Sequence, residues 1–258
     1  MKALVTGASS GIGRDMTRYL VDLGYEVFAV ARDVNKLEEL SHELGERVKI
    51  ITADLSKKEN CIELYRNLKE ENIDLVINNA GFGVFGNFTE TDLEKELNLI
   101  DTNIIAVHIL TKLFLQDMVK QNKGKILNVS SIAGSSPGPL MAAYYSSKAY
   151  VLRLTEAIYE ELKKQNSKVT ISVLCPGPVA TNFNNVADVK FSLKALSSEY
   201  VAKYAIDKTL KGKLMIIPGW KIKLLRILSK ISPDKLTMKI VYKNQTRKKY
   251  WKINRINI

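Results

Sequence analysis

Two side chains carry the sharpest chemical signal in the sequence. Tyr144 and Lys148 stand four apart in Tyr144-Tyr145-Ser146-Ser147-Lys148, at the start of a helix-like stretch that runs to about residue 163. That spacing puts both on one helix face, one turn apart. A free phenol has a pKa of about 10 and is a poor acid-base catalyst at neutral pH. An ammonium one turn away favours the phenolate and is expected to lower that value toward the working range. Tyr145 has Ala149 at the equivalent offset, so it is expected to form a pocket wall.

A second signal is Thr6-Gly7-Ala8-Ser9-Ser10-Gly11-Ile12-Gly13, between an apolar run at 2–5 and a helix expected to begin near Arg14. Glycines let the backbone turn sharply and approach a pyrophosphate, which the amides and positive end of the next helix then meet. Such a turn suits a dinucleotide, although its G-x-x-x-G-x-G spacing departs from the general fingerprint. A cationic nicotinamide ring would add to the pull on the Tyr144 phenol. Cofactor choice falls at the end of the second apolar run, where an acid would bind a ribose 2′-hydroxyl and a base a 2′-phosphate. Ala31 stands in the acid's place, followed by Arg32 and Asp33. NADP is therefore expected, with NAD the alternative that Asp33 keeps open, and Arg14 offers a second phosphate contact.

The elements that must position these groups are legible as Val- and Ile-rich runs at 2–5, 26–31, 48–52, 75–77, 125–129, 171–174 and 213–217, separated by amphipathic segments. That alternation implies βαβ units in an α/β fold, a doubly wound parallel sheet of about seven strands with helices on both faces. Right-handed crossovers bring every carboxyl end to one edge, where the ligand belongs. One domain is expected over residues 1–258.

With those motifs in place, the chain resembles the single-domain short-chain dehydrogenase/reductase family from about residue 2 to 217. The resemblance implies a Rossmann fold and assigns the cofactor to Gly7, Ser9, Ser10, Gly11, Ile12 and Gly13 of the turn. Asp54 and Leu55 would hold the adenine ring. Asn79, Ala80 and Gly81, in Asn78-Asn79-Ala80-Gly81, would lie beside the adenosine ribose. Pro176, Gly177, Val179 and Thr181 would lie near the carboxamide. It implies that Ser131, thirteen residues before Tyr144, orients the substrate oxygen, with Ser130 as its competitor. It makes Tyr144 the proton donor, has Lys148 bond the nicotinamide ribose, and has Asn103, in a helix-like stretch at 97–118, hold a water that relays protons to the lysine. Residues 182–198 would form a short substrate lid, and a homodimer or homotetramer would assemble through the helices around Asn103 and Tyr144.

Charge bounds the alternatives. The net +12 is not uniform: from residue 211 onward there are fourteen Lys and Arg and one acid, Asp234, net +13, while the first 210 residues are at −1. A near-neutral body argues against nucleic acid as a partner. In the tail, Trp220, Leu224, Ile227, Leu228 and Ile231 share one helical face, opposite Lys223, Arg226 and Lys230. That face is expected to pack over the substrate mouth or a partner subunit, with peripheral contact to an anionic membrane as the alternative. No run of roughly 18 apolar residues is read as a spanning helix, and no signal peptide is seen, so a cytoplasmic location is expected. Cys61 and Cys175 read as buried thiols, His42 and His108 as structural, and no metal-ligand spacing is found. The expected function is NADP(H)-dependent hydride transfer to or from a ketone or secondary alcohol, lipid- or steroid-like. A catalytically silent dinucleotide-binding regulator is the rival, opposed by the complete Ser131, Tyr144 and Lys148 set.

Overall fold

The computed structural model describes residues 1–181 and 195–253. Its main sheet is built from β1 (Lys2–Thr6), β2 (Glu26–Ala31), β3 (Val48–Thr52), β4 (Leu75–Asn78), β5 (Lys125–Val129), β6 (Thr170–Leu174) and β9 (Met215–Ile216). The strand order is β3-β2-β1-β4-β5-β6-β9, with every neighbour pair parallel. A parallel pair, β7 (Val179–Ala180) with β8 (Leu196–Ser197), lies apart from it.

The strands are mostly apolar because both sheet faces are covered, so alternate residues enter two different cores. Ala3, Val5, Val27 and Ala29 pack with Met16 and Leu20 of α1 (Gly11–Asp22), Leu37 and Leu40 of α2 (Val34–Leu44), and Val201 and Ala205 of α7 (Ser198–Leu210). Leu4, Phe28, Val76 and Ile126 point the other way. They meet Leu64 of α3 (Lys58–Leu68), Leu110 and Phe114 of α5 (Ala106–Gln121), and Leu162 of α6 (Ala142–Lys164).

Below the ligand edge a buried polar ladder ties this second layer together. Asn78 Nδ2 donates to Asn128 Oδ1 at 2.9 Å and to Thr111 Oγ1 at 3.0 Å, and Asn128 Nδ2 donates to Thr155 Oγ1 at 3.0 Å. Such bonds cost too much to leave unmade in a dry interior, so they hold β4 and β5 in register with α5 and α6.

Two expectations are corrected here. The helix expected over 97–118 runs continuously from α4 (Leu93–Ile100) through a π-helical segment (Asp101–Ile105) into α5. By length and composition alone, that continuous helix is apolar enough to cross a membrane. No unbroken apolar run marks it because Asn98, Asp101, Thr102, Asn103, His108, Thr111 and Lys112 interrupt the sequence, while Leu99, Ala106, Leu110, Phe114 and Met118 are buried in the cores.

Candidate active site

One cavity of about 470 Å³ opens at the carboxyl edge of the sheet, and it gathers residues from one end of the chain to the other. Gly7, Ser9, Ser10, Gly11, Ile12, Arg32, Asp54, Leu55, Asn79, Ala80, Gly81, Ser131, Tyr144, Lys148, Pro176, Gly177, Val179 and Thr181 all line it. Gly13 and Asn103 do not; both stand behind the wall and shape it.

The glycine turn is a cradle with no room to spare. Helix α1 begins at Gly11 rather than near Arg14, with Ser10 as N-cap and no acid in its first turn, so its positive end reaches the cavity uncancelled. Gly7 and Gly11 hold φ of +68° and +52°, which side chains resist. A Cβ on Gly13 would lie 2.3 Å from the Gly7 carbonyl oxygen and 2.4 Å from Asn79 Nδ2. Asn79 is thereby explained: its Nδ2 donates to the carbonyls of Thr6 (2.9 Å) and Gly7 (3.3 Å) and pins the turn to the end of β4. Across the cavity, Thr181 comes so near Gly11 that an added Cβ would meet its Cγ2 at 3.0 Å. A narrow backbone cradle at a helix N-terminus, closed by a second loop, fits the diphosphate of a dinucleotide.

At the other end of the cavity the charges are sorted. Asp33 is N-cap of α2, accepting from the Lys36 amide at 3.2 Å and pairing with its ammonium at 2.7 Å. Its carboxylate is therefore engaged. Arg32 lines the cavity, exposed, and its side chain makes no hydrogen bond or ion pair among the described residues. Burial pushes Asp54 up, but bonds from the Ser56 amide and hydroxyl and the charge of Arg32 outweigh it and keep the carboxyl below its ordinary value. Arg14 is not the second phosphate contact it was expected to be. Its guanidinium turns to Glu39 (3.5 Å) and Glu43 (3.2 Å) on α2.

Tyr144 and Lys148 do share a face of α6, with the ammonium 5.9 Å from the ring centroid, and both are buried. Strand β5 ends at Val129, so Ser131 is the N-cap of a 3₁₀ turn (Ile132–Ser135) rather than a strand residue; its Oγ accepts from the Ala133 amide at 3.1 Å. Its Oγ also donates to the Pro176 carbonyl at 3.5 Å, and Ser131 lines the same cavity as Tyr144. Ser130, the competitor, is spent on structure, donating to the Lys148 carbonyl at 2.6 Å.

The electrostatics depart from expectation in one respect. Burial pushes the Tyr144 phenol well above its ordinary value, only partly offset by the Ser131 hydroxyl. Lys148 does not reverse this, because burial acts on the lysine as well and brings its ammonium down to about 8. With the ammonium 5.9 Å from the ring centroid, its pull is outweighed by loss of water around the phenol.

Asn103 sits in the π-helical segment, a distortion often found at functional sites. Its Oδ1 accepts from the Phe82 amide at 3.1 Å, and its Nδ2 donates to the Phe82 carbonyl (2.9 Å) and to Ser147 Oγ (3.0 Å). The side chain thus braces the floor of the site, and a Cβ on Gly81 would strike both Asn103 Oδ1 (2.8 Å) and Lys148 Nζ (3.3 Å).

The apolar half of the cavity is walled by Phe82, Met141 and Tyr145, and by residues that spacing could not have revealed: Val241, Asn244 and Gln245 of α9 (Asp234–Ile253). Gln245 is buried, and its Nε2 donates to the Tyr145 hydroxyl at 3.4 Å. The apolar face of α8 (Trp220–Ile231), expected to pack over the mouth or a partner subunit, does not cover the mouth: Trp220, Leu224, Ile227, Leu228 and Ile231 are exposed on the single chain. Of the lid expected over 182–198, residues 182–194 lie outside the described residues. Cys61 and Cys175 are buried, and burial pushes their thiols up to about 11 and about 12, which leaves them poor nucleophiles.

Comparison with known proteins agrees with this geometry. The model of the short chain dehydrogenase family matches residues 1–190. A probable short-chain type dehydrogenase/reductase of Helicobacter pylori is 31% identical over 257 residues, covering 90% of this chain and 93% of its own. A probable NADP-dependent dehydrogenase of Haemophilus influenzae is 33% identical over 188 residues, covering 71% of this chain and 74% of its own. Among solved structures, a short-chain dehydrogenase from Sphingobium yanoikuyae in complex with NADPH superimposes with a TM-score of 0.80 at 26% identity, covering 89% of this chain and 93% of that one.

Proposed function

The chain belongs to the short-chain dehydrogenase/reductase family and is an NAD(P)-dependent oxidoreductase, and from that premise we propose that it moves hydride between NADP(H) and a ketone or secondary alcohol with an apolar, lipid- or steroid-like frame. The observation that carries the reading is that Ser131, Tyr144 and Lys148 line one cavity together with the glycine turn. The preference for NADP rests on Arg32, exposed at the cavity's edge, while Asp33 is held by Lys36. The Haemophilus influenzae relative described as NADP-dependent and the NADPH complex of the Sphingobium yanoikuyae enzyme support it. The apolar frame rests on Phe82, Met141, Tyr145 and Val241 in the wall.

When bound, the nicotinamide supplies or accepts the hydride. Ser131 and Tyr144 line the same cavity, where their hydroxyls hold the substrate oxygen. In reduction, Tyr144 gives its proton to that oxygen; its raised pKa keeps the proton available through the neutral range. The phenolate left behind is stabilised by the Lys148 ammonium, anchored on the Val129 carbonyl. Asn103 is a positioning residue that fixes the Phe82 backbone and, through Ser147, the Tyr144 turn of α6. Exposed Leu97, Ile105 and Tyr150 on the helices around these residues support assembly as a homodimer or homotetramer.

The test is a fluorescence titration of the protein with NADPH and with NADH, followed by a screen of carbonyl compounds for oxidation of the tighter one. NADPH is expected to bind more tightly. Tyr144→Phe is expected to keep that affinity and lose about 10²–10⁴-fold in kcat. An active Tyr144→Phe enzyme, or tighter NADH, overturns the corresponding part of the reading. A protein that binds NADPH but turns over no carbonyl compound is the silent regulator instead.

A further inference from the structure

We propose that α8 is a docking surface for an anionic lipid bilayer, seated beside the mouth of the substrate cavity. The helix is fixed to the body by the side opposite its apolar stripe. Ile222, only 7% exposed, packs against Leu152, Val173 and Ile217, and its Cδ1 sits 2.5 Å from where a Cβ on Gly177 would be. Arg226 pairs with Glu156 at 3.2 Å on the same inner side. With those anchors set, Trp220 (70% exposed), Leu224, Ile227 (59%), Leu228 and Ile231 (75%) are held outward along an arc of about 100°. Monomeric proteins seldom show water so much contiguous apolar surface without a partner for it.

The chemistry around the stripe selects the partner. Lys221 and Lys223, both exposed, border it on either side, and the chain from residue 211 onward carries a net charge of +13. A second copy docking through this face would set two such tails against each other. Nucleic acid would use the lysines but not an indole flanked by leucines and isoleucines. An anionic bilayer takes both: the apolar side chains enter the acyl boundary, and the ammonium groups remain at the phosphates. The inner side of the same helix reaches the cavity wall, Ile222 lying against Gly177, so docking through α8 seats the bilayer on an element that adjoins the cavity.

The experiment is co-sedimentation of the full chain with phosphatidylcholine vesicles and with vesicles that also contain phosphatidylglycerol. It does not depend on the proposed reaction, so either can fail alone. The chain is expected to pellet with the anionic vesicles and to be released by salt. Leu224→Glu/Ile227→Glu/Ile231→Glu, whose side chains face outward and whose fold is checked by thermal melting, is expected to lose binding more than about tenfold. Lys221→Gln/Lys223→Gln is expected to lose roughly thirtyfold. Equal binding by wild type and the triple variant, or equal binding to both vesicle types, overturns the proposal. So does wild-type self-association that the triple variant abolishes without any vesicle binding, which gives the face to a second copy.

Discussion

The ammonium of Lys148 donates to the carbonyl of Val129 at 3.0 Å, which ties the lysine to the end of β5 two residues before Ser131. Burial in this place brings its pKa down to about 8. Because kcat/KM reports groups of the free enzyme, carbonyl reduction is expected to lose kcat/KM as pH rises through about 8, where the ammonium is lost. In Lys148→Arg the limb should move to higher pH, since a guanidinium keeps its proton. An unchanged limb assigns the titration to another group.

The same shift makes a stability prediction. The folded-state pKa is depressed, so between about 8 and 10.5 the unfolded chain holds a proton that the folded chain has released, and wild-type stability rises with pH across that window. Lys148→Met removes the buried charge. It is expected to be more stable than wild type near neutrality, with the gap shrinking by roughly 2 kcal/mol toward about pH 10. Denaturant melts at the two pH values measure it, and a constant gap contradicts the buried-ammonium account.

Arg32→Ala is expected to weaken NADPH roughly 10- to 100-fold, the worth of a charge-assisted bond, and to leave NADH unchanged. Asp33→Asn should barely alter the preference, because that carboxylate is already bound to Lys36. Paired cofactor titrations of the two variants decide it; a large switch in Asp33→Asn would show that the acid, not the arginine, sets the choice.

Gly13→Ala probes the cradle. Its Cβ would collide with the Gly7 carbonyl and Asn79 Nδ2, so the turn must open, at an expected cost of about 1–3 kcal/mol. Melting temperature and NADPH affinity should fall together. A variant with unaltered affinity means the turn is not where the diphosphate binds.

Gln245 has a buried Oε1 with no hydrogen-bond partner among the described residues. Gln245→Leu relieves that burden, so stability is expected to hold or rise, while the apolar wall of the cavity changes shape. KM for the carbonyl substrate should move more than kcat, with NADPH affinity constant. A fall in kcat at constant KM contradicts the wall assignment.

The strands, the parallel sheet, the glycine turn and the Tyr144–Lys148 pair were all readable from the chain because each depends on local spacing. Period two or an unbroken apolar run marks a strand, a four-residue step marks a helix face, and a glycine cluster between strand and helix marks a turn. What tertiary packing alone decided are matters of competition for a partner. Glu39 and Glu43, 25 and 29 residues away from Arg14, took that guanidinium from the cofactor site; Lys36 took Asp33. Burial outweighed a neighbouring charge at Tyr144, and no spacing records how dry a site is. Likewise α8 is amphipathic on any wheel, but Ile222 and Arg226, finding Leu152 and Glu156, determined that its apolar stripe faces outward. Periodicity states which residues share a face, and only the rest of the fold states what that face meets.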